Sequence, residues 1–317
     1  MAFPQAARPA DAARRRRRLR GLTAGLSLVL GLGLFASAPA RAETPPAVPT
    51  PSLPAPSLPA VAEALDQTLS PECRVPGSKL YTLAKLDAVK AALKQKRPVR
   101  VLSIGSSSAG LGASSSYPVK LETALETALP NVQFEVESRA LPGEVASGAG
   151  ERLRTIVAEV EPDLVVWQVG TNDALARVDL DTFSEALDES VKWVMSHDID
   201  IVLIDPVFTA SLAEDDYYTR MVRAVQEVAR REAVPLVHRY AAMRYLSTRS
   251  SDEAHMLGRH FRLNDLGLRC MAEHATRAIT LSLLQSDPAA TGTAGGRAAT
   301  SESRDPGKPQ TGAPTGN

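Results

Sequence analysis

The sequence predicts an α/β protein, a three-layer αβα sandwich built on a parallel five-stranded sheet. Short apolar runs of strand type alternate with helical segments from Pro98 to Leu284. One of these runs, Asp163-Leu164-Val165-Val166-Trp167-Gln168-Val169, is apolar through its centre, as a parallel strand covered on both faces must be. Three short glycine-bearing blocks follow three of the runs, at the strand ends where parallel sheets build their sites.

The strands are expected at Pro98–Ile104, Val132–Glu137, Asp163–Val169, Ile199–Asp205 and Val234–Val237. Pro206 closes the fourth. Helices are expected over Tyr117–Leu129, Val145–Val160, Thr182–His197, Asp215–Glu232 and Asp265–Leu284. Pro118 suits the first turn of the first helix, where its missing N–H has no intrahelical role. Trp167 and Trp193 are read as core. Tyr217 and Tyr218 either line a cleft or pack the surface.

The flanks read differently. Arg14 to Arg18 and Arg20 precede an apolar run from Leu22 to Ala36, and Ala40-Arg41-Ala42 is a small-x-small site. Residues 1–42 are therefore expected to be a bacterial-type signal peptide. A transmembrane anchor is the alternative, but the run is shorter than the roughly 20 residues a span requires. The arginine run also allows a twin-arginine signal. Export places the mature protein in the periplasm or outside the cell, with no stable membrane insertion after cleavage. Residues 43–69 form a Pro-rich linker, in which Pro51-Ser52-Leu53-Pro54-Ala55 recurs as Pro56-Ser57-Leu58-Pro59-Ala60. The tail 286–317 holds almost no large apolar residues and is expected to be disordered. Residues 70–285 remain for one domain, expected to be monomeric.

The chain has 36 basic and 36 acidic residues; eight arginines and one acid fall within 1–42, so the remainder carries a net charge near −7. That balance argues against nucleic acid or an anionic membrane as partner. In an exported chain the two cysteines, Cys73 and Cys270, point to a disulfide, with two buried thiols as the alternative. Two cysteines without supporting histidines argue against a zinc site. No phosphate-binding glycine loop follows the first strand, and Asp205, Asp215 and Asp216 read as loop and helix-start acids. No cofactor or metal is expected.

The blocks themselves carry the chemistry. They are Ile104-Gly105-Ser106-Ser107-Ser108-Ala109-Gly110, Leu141-Pro142-Gly143-Glu144 and Gln168-Val169-Gly170-Thr171-Asn172-Asp173. A serine nucleophile with a glycine N–H and an asparagine amide as oxyanion donors is the minimum apparatus for acyl transfer.

In these blocks the chain resembles the SGNH/GDSL-type hydrolases over about Pro98 to Ile279. The resemblance implies a flavodoxin-like fold and hydrolysis of esters, often acetyl esters on carbohydrates or lipid-like esters. It puts Ser107 on the nucleophile position, with Ser106 in place of the family's Asp. It puts Gly143 on the second-block glycine and Asn172, in Gly170-Thr171-Asn172-Asp173, on the oxyanion asparagine. The last block departs. Counted back from Asn264, Arg262 and Arg259 stand on the His and Asp positions, and arginine stays protonated. An Asp-x-x-His lies upstream as Asp252-Glu253-Ala254-His255, which makes Asp252 and His255 the expected dyad. His260 with another acid, or a site without a working histidine, are the alternatives. His197, His238 and His274 read as ordinary helix-end or strand residues. The expected function is an exported serine esterase for small-molecule or carbohydrate esters, acetyl esters among them. The alternative is a non-catalytic binding or envelope-accessory module on the same fold.

Overall fold

The computed structural model describes residues 67–77, 80–105, 116–249, 256–257 and 263–285. The segments expected to be a signal peptide (1–42) and a disordered tail (286–317), and most of the expected linker, lie outside the described residues.

Among the described residues six strands form one sheet: β1 (Tyr81–Thr82), β2 (Val99–Gly105), β3 (Phe134–Ser138), β4 (Leu164–Gln168), β5 (Asp200–Ile204) and β6 (Leu236–Val237). Their order is β1-β6-β5-β4-β2-β3. The five strands expected from the sequence are all present and parallel. The expected count is corrected to six, because β1 adds an antiparallel edge beside β6, Tyr81 opposite Val237. Two residues are too few to show a strand period, so only the pairing reveals it. Without β1, the order is that of the flavodoxin-like doubly wound sheet, with its switch point between β2 and β4.

The helices are α1 (Asp87–Lys94), α2 (Tyr117–Ala128), α3 (Ala146–Val160), α4 (Thr171–Leu175), α5 (Leu180–Met195), α6 (Ala210–Ala213), α7 (Asp216–Arg231), α8 (Arg239–Ser247) and α9 (Asp265–Leu283). Side chains alternate across each strand and so divide the core in two. Leu102, Ile104, Val165, Trp167, Ile201 and Leu203 face α3, α5 and α7. Val99, Val101, Leu164, Val166, Val202 and Ile204 face α1, α2 and α9. Trp167 is core as expected. Trp193 is core only in part: it is half-buried and packs against the cluster under α3, α5 and α7, its ring 4.1 Å from that of His197 and under Arg154. Tyr218 is buried, its hydroxyl donating to the Val207 carbonyl at 2.7 Å.

Helix starts follow their caps. Asp179 accepts from Asp181 N and Thr182 N, so α5 begins at Leu180 rather than at the expected Thr182. Asp215 caps α7, and Asn264 caps α9 through Gly267 N at 2.9 Å. The cap of α1 comes from far away: the Asp200 carboxylate accepts from Asp87 N at 3.0 Å and Val89 N at 2.9 Å.

The chain before β1 is strapped to α9. Cys73 and Cys270 form the expected disulfide, Cα to Cα 5.0 Å, and close a separation of 197 residues. Ser70 N donates to Glu273 at 2.8 Å. His274 Nε2 meets the Cys73 carbonyl at 2.7 Å. Burial pushes the His274 imidazole down to about 4, although the carbonyl contact pulls the other way.

The folded value of His274 lies below the ~6.5 of an unfolded histidine, so the unfolded chain takes up this proton first as pH falls. Stability present at pH 7 is lost between roughly pH 6.5 and 4, by about 3 kcal/mol at most. Thermal denaturation across that range should show the wild type losing more stability than His274→Gln. Parallel losses in the two proteins would contradict this account of His274.

Candidate active site at the strand ends

The sheet ends level where the blocks begin. Gly105, the last residue of β2, lies opposite Gln168, the last of β4, which lies opposite Ile204, the last of β5. Gly105 has φ +97°, and a Cβ there would run into the Gln168 carbonyl, with the carbonyl carbon at 2.8 Å and Trp167 Cδ1 at 2.9 Å. Only glycine lets β2 leave the sheet so close to β4. Gly143 is also left-handed, φ +76°, but sits exposed in a turn with no heavy atom within 4 Å of a built Cβ.

The second and third blocks are stitched together. Asn172 Nδ2 donates to the Glu144 carbonyl at 2.8 Å. Asp173 Oδ1 accepts from Ala146 N at 2.7 Å, at the start of α3. Burial pushes the Asp173 carboxyl up, against the backbone N–H groups that hold its charged form. Asn172 thus spends one amide hydrogen on the loop that carries Gly143, and an amide has a second to give. Among the described residues, that is the only partner of Nδ2.

Ser107 of the first block and Asp252, His255 and His260 of the last lie outside the described residues, as do Arg259 and Arg262. The elements that carry them are described. The first block leads into α2 and the last into α9, and Lys120 of α2 pairs with Asp265 of α9 at 3.0 Å. Asn264 N donates to the Met256 carbonyl at 2.8 Å, beside a bridge between Leu257 and Leu263.

The remaining histidines have other partners. His197 Nδ1 meets the Trp193 carbonyl at 2.7 Å. His238 Nε2 meets Thr82 Oγ1 at 2.8 Å, on the β1 edge, and its Nδ1 is 3.8 Å from Asp205 Oδ2. The Asp205 carboxylate is engaged elsewhere, by Tyr240 N at 2.8 Å and Gln226 Nε2 at 3.2 Å.

Beneath the third block is a buried polar group that the sequence did not single out. The Arg239 guanidinium, 3% exposed, donates to the Asp205 carbonyl at 2.8 Å, Gln168 Oε1 at 3.1 Å and Thr171 Oγ1 at 3.4 Å. Burial pushes it down and the Asp205 charge holds it up. It ties the end of β4 to the first turn of α4. The signal available in the sequence was Gln168, a polar residue closing an apolar strand. No group of three or more metal-ligating side chains occurs among the described residues. A groove of about 370 Å³ runs along the outer edge of β3, past Arg100, Glu122, Glu126 and Glu135, and contains none of the blocks.

This is a doubly wound α/β protein in which the loop after β3 is hydrogen-bonded to the helix start after β4 at the carboxyl ends of the strands. The Non-GDSL lipase-like family matches residues 72–283, and the chain belongs to that family. Ser106 in place of the Asp of Gly-Asp-Ser is in keeping with that description. No curated protein sequence matches. Among solved structures, a two-domain esterase active on acetylated mannans has a TM-score of 0.54 at 17% identity, covering 67% of this chain and 58% of that one. An acetyl xylan esterase, AlAXEase, has 0.50 at 21%, covering 57% and 100%. A variant of the acetyl xylan esterase Axe2 from Geobacillus stearothermophilus has 0.50 at 19%, covering 60% and 100%. These likenesses bear out the expected αβα fold.

The two glycines should respond unequally to the same change. Gly143→Ala costs about 1–2 kcal/mol, the left-handed backbone alone. Gly105→Ala adds a backbone collision and costs more than about 3 kcal/mol. Urea unfolding midpoints read both, and equal costs would contradict the close approach of β2 to β4.

Proposed function

We propose that this chain is an exported serine esterase acting on small acyl esters, with acetyl esters of carbohydrates as the favoured class. The observation that carries the reading is the hydrogen bond from Asn172 Nδ2 to the Glu144 carbonyl. It sets an amide donor beside the turn of Gly143 at the carboxyl ends of β3 and β4, where a tetrahedral oxyanion needs two donors. The family description and the fold likeness to acetyl xylan esterases and a mannan-active esterase support the substrate class.

Ser107 Oγ attacks the ester carbonyl carbon and gives its proton to His255, which Asp252 orients. The oxyanion accepts from the second Asn172 N–H and from the Gly143 N–H. Collapse expels the alcohol, which takes the proton back from His255, and leaves an acyl-serine. Water then attacks, with His255 again as base, and releases the acid. The pairing of Lys120 with Asp265 supports this assignment, because it joins the helices that follow the first and last blocks. Arg259 and Arg262, on the positions where the family carries its dyad, favour the second reading, a non-catalytic binding or envelope-accessory module.

Hydrolysis of a short-chain aryl acetate separates the two. Ser107→Ala should abolish Ser-dependent turnover, and Asn172→Ala should lower kcat by about 100- to 1,000-fold. His255→Ala should match the serine variant and His260→Ala should not. A wild type no faster than Ser107→Ala across several acyl esters would defeat the esterase reading. Loss in His260→Ala alone would move the base to that residue.

A further inference from the structure

We propose that Arg152 is a positioning residue that holds both oxyanion donors through Glu144, an assignment that rests on the esterase reading. Arg152 stands in the second turn of α3. Its Nε donates to Glu144 Oε1 at 2.7 Å and its Nη2 to Glu144 Oε2 at 2.8 Å, a two-point grip on one carboxylate. The same Nη2 donates to the Arg139 carbonyl at 2.7 Å. One guanidinium thereby fastens both ends of the loop that carries Gly143, the residue just after β3 and the residue just after Gly143.

The grip extends to the third block. Glu144 presents its carboxylate to Arg152 and its carbonyl to Asn172 Nδ2. Displacing Glu144 therefore moves the Gly143 N–H and turns the Asn172 amide together. The turn has little else to hold it. Among the described residues its own backbone contributes one long bond, Glu144 N to the Leu141 carbonyl at 3.4 Å, and the space around Gly143 is open. Nor is this an ordinary surface pair. The Glu144 side chain is 9% exposed and that of Arg152 30%, so water screens the contact weakly. The pairing in turn holds the Arg152 guanidinium above its usual range. The apolar face of α3, Ala149, Leu153, Ile156 and Val157, packs on the sheet independently of this contact. Arg152 variants should consequently fold.

Steady-state hydrolysis of an aryl acetate tests the role. Arg152→Met should lower kcat by about 10- to 100-fold, as displaced donors do, with KM held within about twofold. Arg152→Lys should recover part of the loss, keeping the charge but not the fork. Arg152→Met/Glu144→Gln should be no worse than Arg152→Met alone, because both changes break one contact. An unchanged kcat, a rise in KM alone, or losses that multiply in the double variant would each overturn the proposal. A second readout does not need turnover. The side-chain amide resonances of Asn172, assigned with Asn172→Ala, should shift or broaden in Arg152→Met and less so in Arg152→Lys. If the wild type shows no Ser107-dependent hydrolysis, the esterase reading fails and these resonances decide the positioning claim. Unperturbed Asn172 resonances in Arg152→Met overturn it in either case.

Discussion

At Gly105 the chain leaves β2 against the Gln168 carbonyl with no room for a side chain. That contact fixes where the sheet stops, and the positions of the three blocks follow from it. β2, β4 and β5 end level, and α2, which follows β2, lies on the opposite face of the sheet from α5, which follows β4. In a doubly wound sheet the crevice lies at the carboxyl ends of the strands at that switch point. The loop after β3 reaches the same crevice because Asn172 and Asp173 take hold of Glu144 and Ala146. A strand ending one residue later would turn the blocks to the other face, since side-chain direction alternates along a strand.

Support comes from below and from the chain before β1. Among the described residues, the buried Arg239 guanidinium has no direct carboxylate partner. It is held by a carbonyl, an amide oxygen and a hydroxyl drawn from the ends of β4 and β5 and the start of α4. Such a group is costly to bury unless every partner is in place, so it penalises any rearrangement of those strand ends. The disulfide and the contacts of Ser70 and His274 fasten the entering chain to α9. The helix that follows the last block is thereby anchored behind the residue that opens it.

The parts of this arrangement written locally were legible. The five parallel strands show as apolar runs, and Trp167 shows as their centre. The cysteines show as a pair by elimination. Gly143 and Asn172 were singled out by their blocks, and they stand in the turn after β3 and in the first turn of α4. What escaped depends on residues distant in sequence. β1 exists only through its pairing with β6. The start of α1 is capped by Asp200, more than a hundred residues on. Arg239 and Arg152 look like any other helical arginines until the fold surrounds them with acceptors. Trp193 packs against the core only in part, beside His197 and Arg154. The dyad expected at Asp252 and His255 rests on the Asp-x-x-His pattern, which stands seven residues further from the helix opened by Asn264 than the family's block does, and the arginines at the family's own positions are the strongest argument against it.

The central claim is that the serine after β2 is an activated nucleophile served by donors after β3 and β4. Labelling with an active-site phosphonate, followed by mass spectrometric mapping of the adduct, tests it most directly. The account predicts one adduct, on Ser107, absent from Ser107→Ala and formed far more slowly in Asn172→Ala. An unlabelled wild type, or an adduct carried by another residue, would contradict it.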